Sequence, residues 1–288
     1  MRRVPALRMV GTPIRILLER IGGPALVARR FVPAGGLRLQ YLETHLVDHC
    51  NLGCKSCGHY SPLSEPWFAD PETFRRDVRR LRSLFVSVEH LRLMGGEPLL
   101  HPELSAFLNI AREALPETRI HLVTNGLLLS NMADAFWKHC AAKRIVVDMT
   151  RYPVRLDLER IRSKCAEHGV KLAIGNVTMN FFKFRHDESG GSEPARTFAN
   201  CRRLFYCPFL REGRIYTCSE PALAHIPARS FGVELSVCEA DSVDIHGDVT
   251  GYDVLEYLSK PIPWCRFCTT DWPSVEWGLS KRAREEWF

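Results

Sequence analysis

Three cysteines stand in one short run, Cys50-Asn51-Leu52-Gly53-Cys54-Lys55-Ser56-Cys57, at the end of an apolar, strand-like stretch. Thiols at C-x3-C-x2-C spacing are metal ligands, and three are one short of a closed site. Structural zinc takes four protein ligands, whereas a [4Fe–4S] cluster held by three cysteines leaves one iron open to an outside molecule. Polar residues lead into the run. Glu43, His45, Asp48 and His49 precede it, and strand alternation puts Glu43 and His45 on one face. Paired polar groups on that face suit substrate hydroxyls or amines; a structural histidine satisfied by its neighbours is an equal reading for His45.

Further elements are needed to position these residues, and residues 37 to about 176 alternate strand and helix. Leu37–Val47 reads as the first strand, followed by His90–Met94, Arg119–Thr124, Arg144–Thr150 and Val170–Gly175. Asp70-Pro71 caps a helix whose Phe74, Val78, Leu81 and Phe85 share a face, and Leu104, Phe107, Leu108, Ala111 and Leu115 form a second stripe. Repeated β-α units with short connections predict a parallel sheet with right-handed crossovers, and the candidate residues fall at its C-terminal strand ends, where barrels of this type carry active sites. Near residues 180–200 the pattern fails, Ser189-Gly190-Gly191-Ser192-Glu193-Pro194 reading as a loop. A cysteine-rich tail follows.

The first motif and its followers resemble the radical S-adenosylmethionine (radical SAM) enzymes, in which the open iron binds the amino and carboxylate groups of SAM. Met94-Gly95-Gly96-Glu97-Pro98 looks like the family's glycine-rich segment after the second strand, Val123-Thr124-Asn125-Gly126 like the end of the third, and Val147-Asp148-Met149-Thr150 like the end of the fourth. The resemblance implies a partial (β/α)6 TIM-type barrel with Cys50, Cys54 and Cys57 as cluster ligands. It implies cofactor contacts at Gly95, Gly96, Glu97, Pro98, Asn125, Asp148 and Thr150, with Glu97 accepting from the methionine ammonium. Many family members place an aromatic residue before the third cysteine; Ser56 stands there, and Tyr60 is the candidate for adenine stacking.

The tail holds Cys201, Cys207, Cys218, Cys265 and Cys268. Its pattern, C-x11-G-x4-C and later C-x2-C, resembles the Twitch/SPASM auxiliary-cluster extension. Residue matching implies Cys201, Cys218, Cys265 and Cys268 as ligands of a second, auxiliary [4Fe–4S] cluster. Zinc accepts the same four thiolates, and Cys207 is the alternative to Cys201. Cys140 and Cys165 sit on apolar helix faces as core residues. Cys207 and Cys238 are either packed cysteines or hydrogen-atom donors to a carbon radical.

Eleven cysteines among 288 residues argue for metal or redox use in a cytoplasmic protein rather than a disulfide framework. No run reaches the ~18–20 apolar residues of a membrane span. The net charge of +6 is concentrated in residues 1–32, with seven arginines and one glutamate. That segment reads as a basic amphipathic helix, Ile14 to Phe31, packed on the barrel with its arginines in solvent; contact with an anionic membrane is the lesser reading. Basic residues interleaved with aromatics along a face are lacking, which argues against nucleic acid as partner. The expected organisation is residues 1–36 as basic N-terminal segment, 37–185 as barrel and 186–288 as Twitch-like extension.

The resemblance implies reductive cleavage of SAM, an external donor of flavodoxin or ferredoxin type, and hydrogen abstraction from an unactivated C–H bond. Short enzymes with this tail, the aminocyclitol dehydrogenases and aminoglycoside epimerases, act on small polyols. Epimerisation or oxidation of a sugar or aminocyclitol is therefore the favoured activity. Modification of a ribosomal peptide is the alternative, disfavoured by the short stretch before the first strand; a glycyl-radical activating enzyme and a zinc-binding interaction module are further readings.

Overall fold

The computed structural model describes residues 36–183, 185–201 and 207–288. The basic amphipathic segment expected within residues 1–36 lies outside the described residues, apart from Gly36.

Five strands, β1 (Arg38–Val47), β2 (Ser87–Gly95), β3 (Arg119–Thr124), β4 (Val146–Arg151) and β5 (Lys171–Val177), pair in parallel in chain order. Helices α1 (Pro71–Leu84), α2 (Leu104–Ala114), α3 (Asp134–Ala142) and α4 (Leu158–His168) make the crossovers. Asp70 caps α1 by accepting the Thr73 N–H at 2.7 Å, with Pro71 opening the helix; such a cap contributes about 1 kcal/mol. Phe74, Val78 and Leu81 are buried on one face of α1, and Phe107 and Leu108 on α2 meet them in the main core. Leu42 and Leu46 of β1 enter the same core, while Tyr41, Glu43 and His45 occupy the opposite face of the strand. Truncating a core leucine such as Leu81 to alanine costs roughly 2–5 kcal/mol.

The parallel α/β sheet expected from the sequence is present, its five strands joined by four crossover helices, in keeping with a partial barrel. After β5 the chain turns into β6 (Asn180–Phe182), which leaves the sheet and pairs antiparallel with β10 (Ser274–Glu276). The short helix α5 (Pro194–Ala199) follows. The tail then returns to the other edge of β1: β7 (Phe209–Arg211) runs parallel to it, and β8 (Arg214–Tyr216) and β9 (Val243–Asp244) continue antiparallel, giving the order β5-β4-β3-β2-β1-β7-β8-β9. Covering the β1 edge satisfies its backbone groups. Helices α6 (Ser219–Leu223), α7 (His225–Phe231) and α8 (Gly251–Leu258) complete the tail.

Two polar anchors fix the tail to the barrel. Buried Asp77 of α1 accepts the Gly213 N–H at 2.8 Å and pairs with His246 Nε2 at 2.7 Å. Arg80, one helical turn on, donates to the carbonyls of Ile245, Gly247 and Val249. The beginning of the tail meander is thus held by a helix that precedes it by more than a hundred residues.

Candidate functional site

The first cysteine loop leaves the C-terminal end of β1 and meets the ends of β2 and β3. Gly96 N–H donates to Val47 O at 2.8 Å and Glu97 N–H to His49 O at 3.1 Å, so the glycine turn lies directly on the approach to Cys50. A Cβ on Gly96 would fall 2.0 Å from His49 O, which is why glycine is required there. Asn125, at the end of β3, donates from Nδ2 to Cys50 Sγ at 3.5 Å and to Asn51 Oδ1 at 2.8 Å. Thr150 sits near the end of β4. Cysteines, glycine turn, Asn125 and Thr150 therefore share one end of the sheet.

Cys54 is buried, Cys50 and Cys57 are part-buried, and the thiols are close enough to influence one another. Burial pushes Cys54 up to about 12, the Trp277 hydrogen bond pulls it back, and the charges of Cys57 and Cys50 raise it further. Burial likewise takes Cys50 to about 11, partly offset by its bond from Leu52 N–H. A positively charged iron core would offset the burial that disfavours the Cys50 and Cys54 thiolates. Three sulfurs with N–H donors at two of them fit a three-cysteine cluster.

Glu97 is fully buried, accepting from Thr124 Oγ1 at 2.7 Å, Asn125 N–H at 2.9 Å and Leu99 N–H at 3.1 Å. It ties β2 to β3. These three donors occupy the carboxylate that the resemblance assigns, with the nearby backbone carbonyls, to the methionine ammonium. Pro98 begins the single helical turn that Glu97 caps. Tyr60 is a correction. Its ring is completely buried against Leu223, Ile226 and Trp287, and its hydroxyl bonds Glu220 and His186, so packing into the tail replaces the expected adenine stacking.

The inner face of the sheet carries a polar row. Glu43, Arg92 and His121 are in register across β1, β2 and β3. Tyr41 hydroxyl donates to Glu43 at 2.5 Å, Arg92 donates to Tyr41 and pairs with Asp148 at 3.4 Å, and His121 Nδ1 meets Asp148 at 3.2 Å. The Asp148 carboxyl is held below its ordinary range, the His121 hydrogen bond outweighing burial. His45, one layer nearer the cysteines, contacts Asp48 Oδ1 at 2.7 Å and His59 Nδ1 at 3.1 Å. The sequence carried Glu43, His45 and Asp148; it gave no sign of Arg92, His121 or His59, whose meaning depends on strand register.

The second cysteine set converges too. Cys201, Cys218, Cys265 and Cys268 line one cavity, bounded by Phe198 and Trp264. Burial raises Cys268 well above its ordinary value, and the charges of Cys218, Cys265, Glu220 and Cys201 add to it. Cys207 does not line this cavity; it precedes Pro208, whose carbonyl accepts the Glu43 N–H at 2.9 Å. Cys238 is exposed at the turn before β9, at the far edge of the sheet. Cys140 and Cys165 are buried in the main core. Tetrahedral zinc with bonds of about 2.3 Å draws its thiolates to roughly 3.8 Å of one another. Among the described residues, the one group of three whose ligand atoms all lie within 4.8 Å is Asp134, Glu167 and His168, whose carboxylates Lys164 already bridges at 2.8 and 3.2 Å. No helix among the described residues is long and apolar enough to cross a membrane.

Comparison with known proteins gives the same placement. Residues 45–150 match the radical SAM superfamily. Curated relatives include the GTP 3',8-cyclase of Microcystis aeruginosa, 30% identical over 106 residues that make up 35% of this chain and 32% of that protein. That of Geobacter sulfurreducens is 35% identical over 101 residues, 34% of this chain and 30% of that protein. The chain thus spans about a third of the length of the curated relatives it matches. Among solved structures, BtrN in complex with AdoMet and 2-DOIA overlaps 86% of this chain and 97% of its own at 14% identity and a TM-score of 0.47. The matched segment starts at His45, on β1, and ends at Thr150, on β4, taking in the cysteine loop, the glycine turn and Asn125. Residues 45–150 of this chain are thus the part that is similar to the radical SAM superfamily.

Proposed function

We propose that this chain is a radical SAM oxidoreductase or epimerase of a small hydroxylated substrate, a sugar or aminocyclitol, with an auxiliary [4Fe–4S] cluster in its tail. The observation that carries the reading is the convergence of two cysteine sets, three at the β1 end and four around the tail cavity. Reductive cleavage of SAM at a three-cysteine cluster, by an electron from a flavodoxin- or ferredoxin-type donor, supplies a 5'-deoxyadenosyl radical that removes a hydrogen atom from a C–H bond.

Cys50, Cys54 and Cys57 would hold the first cluster, and Gly95, Gly96 and Asn125 shape the backbone against it. Glu43 and His45 face the space where substrate hydroxyls or amines would be oriented, and Asp148 and Thr150 at the end of β4 remain candidates for the cofactor. Two guanidiniums of the described wall, Arg92 and Arg211, are each engaged by a carboxylate. That balance suits hydroxyl and ammonium groups better than a triphosphate. Cys201, Cys218, Cys265 and Cys268 would hold the auxiliary cluster, which in an oxidation accepts the electron left on substrate. In an epimerisation Cys207 is the thiol this reading takes as hydrogen donor in preference to Cys238, because its neighbour Pro208 bonds the backbone of Glu43.

The test is anaerobic iron and sulfide analysis with EPR of reconstituted protein, wild type against the Cys50→Ala/Cys54→Ala/Cys57→Ala variant. About eight irons in wild type and about four in the variant are expected for two four-iron clusters less one. Reductive release of 5'-deoxyadenosine should accompany the first cluster only. Four irons in wild type and none in the variant would remove the auxiliary cluster and the oxidase reading with it.

A further inference from the structure

The segment from Trp277 to the C-terminus lies along the first cysteine loop, and its contacts address each residue from Gly53 to Cys57. Lys55 N–H donates to Gly278 O at 2.8 Å and Ser280 N–H to Gly53 O at 2.7 Å, so Leu279 and Cys54 face each other as an antiparallel bridge. Ser56 N–H donates to the Glu286 carboxylate at 3.2 Å, and Trp287 Nε1 donates to Cys57 O at 2.8 Å. Trp277 itself is held from the other side: its N–H donates to Met179 O at 2.8 Å, continuing the β6–β10 ribbon, and its ring lies 6.0 Å from that of Tyr152. Its indole Nε1 then stands 3.3 Å from Cys54 Sγ.

We propose that Trp277 is a positioning residue for the first cluster, its indole N–H hydrogen-bonding the Cys54 sulfur and thereby making that cluster easier to reduce. This rests on the reading of Cys54 as a cluster ligand. Reduction adds negative charge, part of which resides on the ligating sulfurs. A donor fixed at a sulfur stabilises that charge and raises the reduction potential. The bond from Leu52 N–H to Cys50 is made within the loop, whereas the donor at Cys54 comes from 223 positions away. The tail therefore sets a property of the radical-generating end as well as housing its own cysteines.

The experiment is an EPR-monitored redox titration of the reconstituted holoprotein, wild type against Trp277→Phe and Trp277→His. Phenylalanine keeps a ring and removes the N–H; histidine restores a ring donor. Expected is a more negative midpoint for W277F with unchanged iron content, the reduced-to-oxidised ratio about tenfold lower at the wild-type midpoint, which is about 59 mV for one electron. W277H should recover part of the shift. An unchanged W277F midpoint overturns the proposal, as does an equal shift in both variants, which would assign the effect to ring packing. If W277F fails to hold iron, ENDOR of wild type carrying 15N-tryptophan decides: a 15N coupling lost on tryptophan-free labelling supports the bond, and its absence sinks it. Wild type without a three-cysteine cluster signal would instead overturn the functional reading beneath it.

Discussion

Arg211 grips Asp48 with two parallel bonds, Nη1 to Oδ1 at 3.0 Å and Nη2 to Oδ2 at 2.9 Å, with both side chains nearly excluded from solvent. The pair joins β7 of the tail to the residue just past β1, two positions before Cys50. His45 is the third member, and the Arg211 guanidinium lies 3.8 Å over the Trp67 ring. Burial alone would raise the Asp48 carboxyl, but the His45 hydrogen bond and the Arg211 charge hold it well below the usual carboxylate range.

Removing one partner of such a pair leaves an uncompensated buried charge. Arg211→Met should destabilise the protein by about 3–5 kcal/mol, with Asp48→Asn in the same chain recovering part of the loss. Because the carboxyl is depressed in the fold, its stabilisation is present at neutral pH and lost as pH falls through the acidic range. Urea unfolding of wild type and both variants at pH 7 and at about pH 2.5, below the unfolded carboxyl value, measures this, and the single variant should show the smaller acid-induced loss.

Glu97 has the opposite sign. Burial pushes it up to about 7 from 4.5, its three hydrogen bonds only partly opposing the shift. Its stabilising contribution is complete below the unfolded value and is lost as pH rises through about 7. A displacement of this size is about 3 kcal/mol. The apoprotein should therefore lose up to about 3 kcal/mol between pH 5 and pH 8, and Glu97→Gln should flatten that slope. Chemical unfolding across the range reads both.

How far these relationships were legible from sequence varies with their range. β3 falls on Arg119–Thr124 as expected, and the Asp70 cap on α1 is made as read, because periodicity and capping are local. Strand ends differ by one to three residues elsewhere. The cysteine loop and the Gly95-Gly96 turn were readable because their chemistry restricts residue type. Asp48–Arg211, Asp77–His246 and Trp277–Cys54 span 163, 169 and 223 positions, and each residue in isolation is an ordinary polar or aromatic one. The sixth parallel strand has the same origin: β7 reaches the free edge of β1 from a three-residue strand too short to carry a period. Tyr60 was misread because proximity to Cys57 in sequence says nothing of side-chain direction, and here the residue adopts φ 54° and turns inward.

Gly96 offers a sharper steric test. Its missing Cβ is the space occupied by His49 O at 2.0 Å and Asp48 O at 2.6 Å, both backbone atoms that cannot rotate aside. Gly96→Ala should therefore shift the approach to Cys50 and lower iron loading of the first cluster, at a stability cost of about 1–3 kcal/mol. Gly53, with nothing within 4 Å of its would-be Cβ, is the matched control in the same loop. Gly53→Ala should load iron as wild type does. Iron analysis beside thermal unfolding separates the two.

The last prediction turns on which thiol begins the second set. Cys201 and Cys207 are six positions apart and equivalent by residue type, so spacing alone favours the first without deciding. Cys201 lines the cavity with Cys218, Cys265 and Cys268, and its charge acts on both Cys265 and Cys268. Cys207 adjoins the backbone of Glu43 instead. Cys201→Ala should therefore lose most of the auxiliary iron, about four per chain for a cubane cluster, while keeping the first cluster's EPR signal. Cys207→Ala should keep the full iron content. If epimerisation is the reaction, it should also release product that has lost hydrogen return at the attacked carbon, since no thiol then quenches the substrate radical. Equal iron loss in both variants would reverse the ligand choice and remove Cys207 as a hydrogen donor, because a thiolate bound to iron has no S–H to give.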